Sequence, residues 1–141
     1  MSSRRVDIFN VHLDLGAGRR GTDMGPSAMH VAGLVPGLER LGHAIEEVRS
    51  LGVSTVEQID PGDLQARYLH VIADLCRRLA DQVEISASRG RLPMVLGGDH
   101  AQAIGTISGL SRVFQQRQQR VGVVWVDAHT DMNTPWSTPS G

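Results

Sequence analysis

Two carboxylates and an imidazole alternate along one short segment, at Asp127, His129 and Asp131, directly after the apolar run of residues 121–126. Successive side chains of an extended segment point to opposite faces, so we expect these three groups to share one face. Carboxylate oxygens with an imidazole nitrogen suit a divalent ion such as Mn²⁺, whereas a structural zinc site would favour thiolates. The pattern predicts a metal site at the carboxyl end of a buried strand.

His100 is a further candidate ligand. It closes the segment Gly-Gly-Asp-His at residues 97–100, which follows a second strand-like run at residues 93–96. The two glycines allow a sharp turn, so we expect His100 to point into the same site, with Asp99 capping the next helix. A solvated strand end without a metal is the alternative. It is disfavoured because three clustered ionisable groups beside a buried strand need a compensating charge.

The overall composition is that of one globular domain. The chain has 141 residues, of which 40% are hydrophobic and 21% charged, and its formal net charge is −1. This charge argues against a nucleic-acid partner, and no run approaches the ~20 apolar residues of a membrane span. We therefore expect a cytoplasmic protein. The single cysteine, Cys76, cannot form an internal disulfide, and its apolar surroundings predict a buried structural thiol.

Strand-like and helical patterns alternate along the chain and predict an α/β fold with a mainly parallel sheet. The strands are expected at residues 6–11, 43–48, 95–96 and 121–126. The helical patterns cover residues 26–41 with a break at Pro36, residues 63–88, and residues 101–117. Ligands of such sheets bind beyond the carboxyl ends of the strands, where both candidate metal segments fall. The glycine-rich segment 16–21 lacks the ending of a phosphate loop and is interpreted as a flexible loop near the mouth of the site.

Several motifs together resemble the ureohydrolases, and most closely the arginases. They are Gly-Thr-Asp-Met-Gly-Pro at residues 21–26, Gly-Gly-Asp-His at 97–100, Val-Asp-Ala-His-Thr-Asp-Met-Asn at 126–133, and the Thr- and Ser-rich tail at 134–141. The resemblance implies a three-layer α/β/α sandwich. It identifies residues 1–141 as a single partial domain, the amino-terminal half of that fold. It also implies a site with two Mn²⁺ ions that hydrolyses L-arginine to L-ornithine and urea, in a complete enzyme that forms a homo-oligomer.

The resemblance also assigns roles by position. His100, Asp127 and Asp131 would bind one metal, His129 would bind the other, and Asp127 would bridge the pair. The α-carboxylate and α-amino end of the substrate would be held by three residues of the tail: Asn133, Thr138 and Ser140. No catalytic residue is assigned.

The sequence also departs from the family pattern. A later Asp-x-Asp strand motif, a histidine beyond the Ser-Gly and a late glutamate are absent from these 141 residues, and His30 stands where arginine is usual. We therefore expect the isolated chain to be inactive. Two other functions stay open, an agmatinase or other amidinohydrolase of guanidino compounds, and a non-catalytic truncated fragment that binds metal.

Overall fold

A parallel sheet of three strands forms the centre of the computed structural model, which describes residues 3–138. The strands are β1 (Arg5–His12), β2 (Ala44–Gly52) and β3 (Leu92–Leu96), arranged in the order β2-β1-β3. β1 is central and pairs in parallel with both neighbours. The parallel sheet and the first three strands predicted from the sequence are thus confirmed.

Four helices connect and flank the strands: α1 (Gly25–Val31), α2 (Leu34–Arg40), α3 (Leu69–Ser88) and α4 (Gln102–Gln116). Short 3₁₀ turns lie at Thr22–Met24 and Val56–Gln58. The first two helices join β1 to β2, and α3 joins β2 to β3. Among residues 3–138, every helix is too short or too polar to traverse a bilayer.

β1 is covered on both faces, which makes the fold a three-layer one. Phe9 and Val11 belong to a buried cluster with Leu75, Leu79 and Val83 of α3. On the alternate face, Nε2 of His30 in α1 donates a hydrogen bond to Oδ1 of Asn10 at 2.9 Å. The connection from β1 to β2 runs one way across the sheet and the connection from β2 to β3 runs back the other way. If both are right-handed, their helices lie on opposite faces, and these contacts agree with that arrangement. The predicted α/β/α layering is confirmed.

α4 packs closely on α3 through two glycines, Gly105 and Gly109, which are buried at the contact. A methyl group on Gly105 would lie 2.6 Å from the carbonyl oxygen of Cys76, and one on Gly109 would overlap the carbonyl oxygen of Ala80. The thiol of Cys76 is buried in the same place, as predicted, and burial raises its pKa. The helix pair therefore requires small residues on α4.

Two helix boundaries differ from the sequence prediction. The break between α1 and α2 falls at Gly33, which adopts a left-handed conformation with φ of 87°, whereas Pro36 lies in the first turn of α2. A proline is tolerated in a first turn because the N–H it lacks would have no helical partner there. α3 begins at Leu69 instead of near Asp63, after a left-handed Tyr68 with φ of 59°.

The prediction of a fourth strand at residues 121–126 is wrong for the described chain. These residues follow α4 without regular secondary structure, and Val124 and Val126 are 90% and 92% exposed. A continuously apolar run is typical of a strand that is covered on both sides. Strand preference depends on such burial, and in residues 3–138 no further strand lies beyond β3 to supply it.

The glycine contact between α3 and α4 predicts a stability difference between two alanine substitutions. Gly105→Ala should lower the free energy of unfolding by about 1–3 kcal/mol, because the methyl group overpacks the helix contact. The matched control is Gly37→Ala in α2, where the nearest atom to a new methyl is Nη2 of Arg40 at 3.9 Å. It should raise stability by up to about 1 kcal/mol through helix propensity. Urea denaturation would measure both, and a Gly105→Ala protein as stable as the parent would contradict the packing.

Candidate metal centre

The turn that carries His100 is fastened to the continuation of β1. The backbone N–H of Gly98 donates to the carbonyl of Val11 at 3.1 Å, and that of Asp99 donates to the carbonyl of Leu13 at 2.9 Å. A methyl group on Gly98 would collide with the Leu13 carbonyl, so only glycine permits this approach. The backbone just before His100 is therefore fixed by the central strand.

Asp99 does not cap α4, in contrast to the sequence interpretation. Its side chain is buried, with the residue 7% exposed. One carboxylate oxygen accepts a hydrogen bond from the N–H of Gly16 at 2.7 Å, and the other accepts from the N–H of Ala101 at 3.0 Å. Burial raises the pKa of this carboxyl, against the opposing effect of the two N–H donors. Asp99 instead ties the loop after β1 to the turn after β3.

Three of the four predicted metal ligands lie together. His100, Asp127 and Asp131 each offer one ligand atom, and these atoms lie within 4.8 Å of one another. Nδ1 of His100 is 3.7 Å from Oδ2 of Asp131. Two carboxylates with one imidazole form an oxygen-rich donor set of the kind that suits Mn²⁺ or a similar divalent ion. The residues present therefore fit a metal ion.

His129 lies outside this group. Its side chain is 85% exposed, and its Nδ1 is 3.4 Å from Oδ1 of Asp127. The segment turns instead of extending, with Asp131 in a left-handed conformation at φ of 49°, so the predicted sharing of one strand face does not hold. The backbone N–H of His129 donates to Oδ1 of Asp127 at 2.8 Å and keeps the pKa of that carboxyl below its usual range.

Trp125 is a site residue that the sequence analysis treated only as part of an apolar run. Its indole N–H donates to Oδ2 of Asp131 at 2.9 Å, and its ring meets that of His100 edge-on with 6.2 Å between centroids. Trp125 is 46% exposed, so water could equally satisfy its N–H, and the sequence carries no specific signal for this contact.

A cavity of about 540 Å³ opens beside the metal candidates. Its walls include His100 and Asp131, the loop at Gly16, and two of the residues expected to bind substrate, Asn133 and Thr138. The third, Ser140, lies outside the described residues. The glycine-rich loop therefore does border the site, as the sequence analysis expected.

The loop is also tethered by a buried carboxylate. Asp14 accepts hydrogen bonds from Nε of Arg20 at 2.7 Å and from the N–H of Gly21 at 3.1 Å. Although burial alone would raise the pKa of Asp14, these donors outweigh it and lower that pKa. Asp14 and Asp99 thus hold the loop from its two sides.

Comparison with known proteins identifies a single family. The profile of the arginase family matches residues 4–141. The arginase of Bacillus caldovelox is 44% identical over 137 residues, which cover 96% of this chain and 44% of the relative. The arginase of Brevibacillus brevis is 39% identical over 139 residues, covering 99% of this chain and 45% of the relative. The chain thus spans less than half the length of the curated relatives it matches.

Solved structures give the same result. The native Bacillus caldovelox arginase at pH 5.6 superposes with a TM-score of 0.81 at 41% identity, covering 96% of this chain and 44% of that one. The Entamoeba histolytica arginase in complex with L-ornithine superposes with a TM-score of 0.80 at 31% identity, covering all of this chain and 46% of that one.

The donor cluster predicts unequal effects of its residues on Mn²⁺ binding. His100→Ala, Asp127→Ala and Asp131→Ala should each abolish binding, because each removes one of three converging ligands. His129→Ala should weaken Mn²⁺ binding only slightly. The imidazole lies outside the donor group, and the hydrogen bond to Asp127 comes from the backbone N–H of residue 129, which alanine keeps. Manganese EPR titration of the four variants would measure this. Equal losses in all four, or two ions per chain, would contradict the grouping.

The Asp14 tether predicts a pH-dependent contribution to stability. A carboxyl whose pKa is lowered on folding stabilises the native state above its unfolded pKa of about 3.9, and this is lost as pH falls through the lower folded pKa. Because Arg20 is half exposed, we expect a contribution of about 1 kcal/mol.

Asp14→Asn should therefore be destabilised at pH 6 by about this amount, and the gap should narrow progressively as pH falls below about 3.9. Urea denaturation across this pH range would measure the difference. A constant gap between the two proteins at every pH would contradict the assignment.

Proposed function

Because the chain belongs to the arginase family, we propose that it forms part of a metal-dependent ureohydrolase that converts L-arginine to L-ornithine and urea. The observation that carries this proposal is the convergence of three metal-type donors beside a cavity bordered by Asn133 and Thr138. The family match over residues 4–141 supports the reaction class. Since the chain spans less than half of its relatives, the activity is proposed for a complete site.

In a complete site one Mn²⁺ would be held by His100, Asp127 and Asp131, and a second by His129 together with Asp127. The backbone N–H of His129 lowers the pKa of Asp127, which favours the deprotonated form that a metal ligand requires. The Trp125 N–H donates to Oδ2 of Asp131 and makes no bond to Oδ1 of the same carboxylate. When bound, a pair of such ions would supply an acidified water and polarise the guanidinium group.

The substrate proposal assigns the amino-acid end of arginine to Asn133, Thr138 and Ser140. A side-chain amide and hydroxyls can donate to an α-carboxylate, and their oxygens can accept from an α-ammonium. Asn133 and Thr138 border the same cavity as His100 and Asp131, which supports placing the amino-acid end opposite the metals. Agmatine has no α-carboxylate, so these residues would favour L-arginine over agmatine.

The decisive test joins residues 1–141 to the remaining portion of the Bacillus caldovelox arginase. The chimera should release urea from L-arginine in the presence of Mn²⁺ and much less from agmatine. Asp127→Ala in the same chimera is the matched control and should lose activity by orders of magnitude. Preference for agmatine would favour an agmatinase. A folded chimera that loads Mn²⁺ yet hydrolyses neither compound would contradict the proposal.

The 141-residue chain by itself should release no urea from L-arginine above the Asp127→Ala background. The reason is charge: beyond the shared Asp127, the second ion would have only the neutral ligand His129. Two carboxylates, of which one is shared, carry too little negative charge to hold two dications against their repulsion. A colourimetric urea assay with excess Mn²⁺ would measure this. Manganese-dependent turnover that depends on Asp127 would contradict the expectation.

A further inference from the structure

The side chain of Asp99 adds a second polar link, beside the backbone bonds of Gly98 and Asp99, between the two segments that border the metal candidates. Both carboxylate oxygens are used, one by the N–H of Gly16 and the other by the N–H of Ala101. The residue is 7% exposed, so both bonds are largely shielded from bulk water. The backbone bonds fix where the two segments begin to meet, and the Asp99 side chain fixes the distance from the turn to Gly16, further along the loop.

His100 lies between two backbone positions that are held in place, Asp99 and Ala101. The backbone is bonded to β1 up to the N–H of Asp99, and from Ala101 onward the chain enters α4. At the start of that helix, Ala101 is held by the Asp99 carboxylate and by the thiol of Cys76, whose Sγ donates to its carbonyl at 3.3 Å. The direction in which His100 leaves the turn thus depends on the Asp99 carboxylate.

The fit around this carboxylate is close. A methyl group on Gly16 would lie 3.2 Å from each Asp99 oxygen and 3.3 Å from Cβ of Ala101. Two positions along the same loop, a methyl group on Gly18 would meet no atom within 4 Å. The chain therefore offers one glycine that probes the contact and another that serves as its control.

We propose that Asp99 is a positioning residue, whose carboxylate holds His100 and the Gly16 loop at the separation required for the metal site. This inference rests on the proposed metal-dependent function. A carboxylate is needed because both groups that it binds are N–H donors. Asparagine has one acceptor oxygen, and its amide NH₂ would face the second donor and leave it unsatisfied.

Metal affinity is the first readout. Asp99→Asn and Gly16→Ala should each weaken Mn²⁺ binding by roughly tenfold or more, the range seen when residues that orient metal ligands are changed. Gly18→Ala should bind Mn²⁺ as the parent does. Manganese EPR would measure the affinities, and circular dichroism would establish that each variant is folded. Gly16→Ala removes no polar group, so it tests the contact even if Asp99→Asn does not fold.

The second readout needs no metal. In a Trp136→Phe background, the fluorescence of Trp125 reports on His100, because the two rings meet edge-on. His100→Ala should change that emission, and Asp99→Asn and Gly16→Ala should produce a change in the same direction, whereas Gly18→Ala should not. A purely stabilising role for Asp99 would leave the emission of the folded variants unchanged.

The two readouts separate the possible failures. If the parent binds no Mn²⁺, the proposed metal function fails for this chain, and the Trp125 emission alone decides the role of Asp99. Parent-like emission in folded Asp99→Asn and Gly16→Ala would overturn the inference. The inference would also be overturned if Asp99→Asn and Gly16→Ala bound Mn²⁺ as tightly as Gly18→Ala does. Altered emission with weakened binding in both variants would support it.

Discussion

Backbone contact between the continuation of β1 and the turn after β3 is the constraint on which the site depends. The carbonyls of Val11 and Leu13 accept the N–H groups of Gly98 and Asp99, and the contact is so close that a side chain at Gly98 cannot be accommodated. β1 itself is buried on both faces, so the strand that positions the turn is held firmly by the core. The core therefore determines the position of His100 through the backbone bonds of the two residues before it, Gly98 and Asp99.

The same constraint explains the distribution of buried carboxylates. A turn and a loop that meet outside the sheet leave N–H groups without ladder partners, and such groups must be satisfied when buried. Asp99 and Asp14 accept four hydrogen bonds from the two segments, three of them from backbone N–H groups. These donors stabilise the charged form of both carboxylates. They outweigh burial at Asp14, whose pKa is lowered, whereas burial outweighs them at Asp99, whose pKa is raised.

Local patterns predicted most of the fold because the elements concerned bury their apolar faces within this chain. β1 and the long apolar face of α3 are examples, and both are packed in one cluster. Residues 121–126 carry an equally strong strand pattern, yet they are exposed. Their pattern encodes burial against structure that residues 3–138 do not contain. An apolar pattern shows that a segment requires burial, but it does not show that the chain supplies the surface that would bury it.

The site was predictable to the extent that chemistry depends on residue type. His100, Asp127 and Asp131 were identified from spacing, and they do converge. Spacing alone placed His129 with them because it assumed an extended strand. The roles of Asp99 and Trp125 arise from contacts between segments distant in sequence, Gly16 with Asp99 and Trp125 with His100. No local pattern in the chain encodes these contacts.

His100, Asp127 and Asp131 would form the metal-binding core of this arginase-family site. Anomalous diffraction at the manganese edge, from crystals of the chain grown with Mn²⁺, would locate the ion. We expect a single anomalous peak in contact with Nδ1 or Nε2 of His100 and with carboxylate oxygens of Asp127 and Asp131. A peak elsewhere, or none at this position at saturating Mn²⁺, would contradict it.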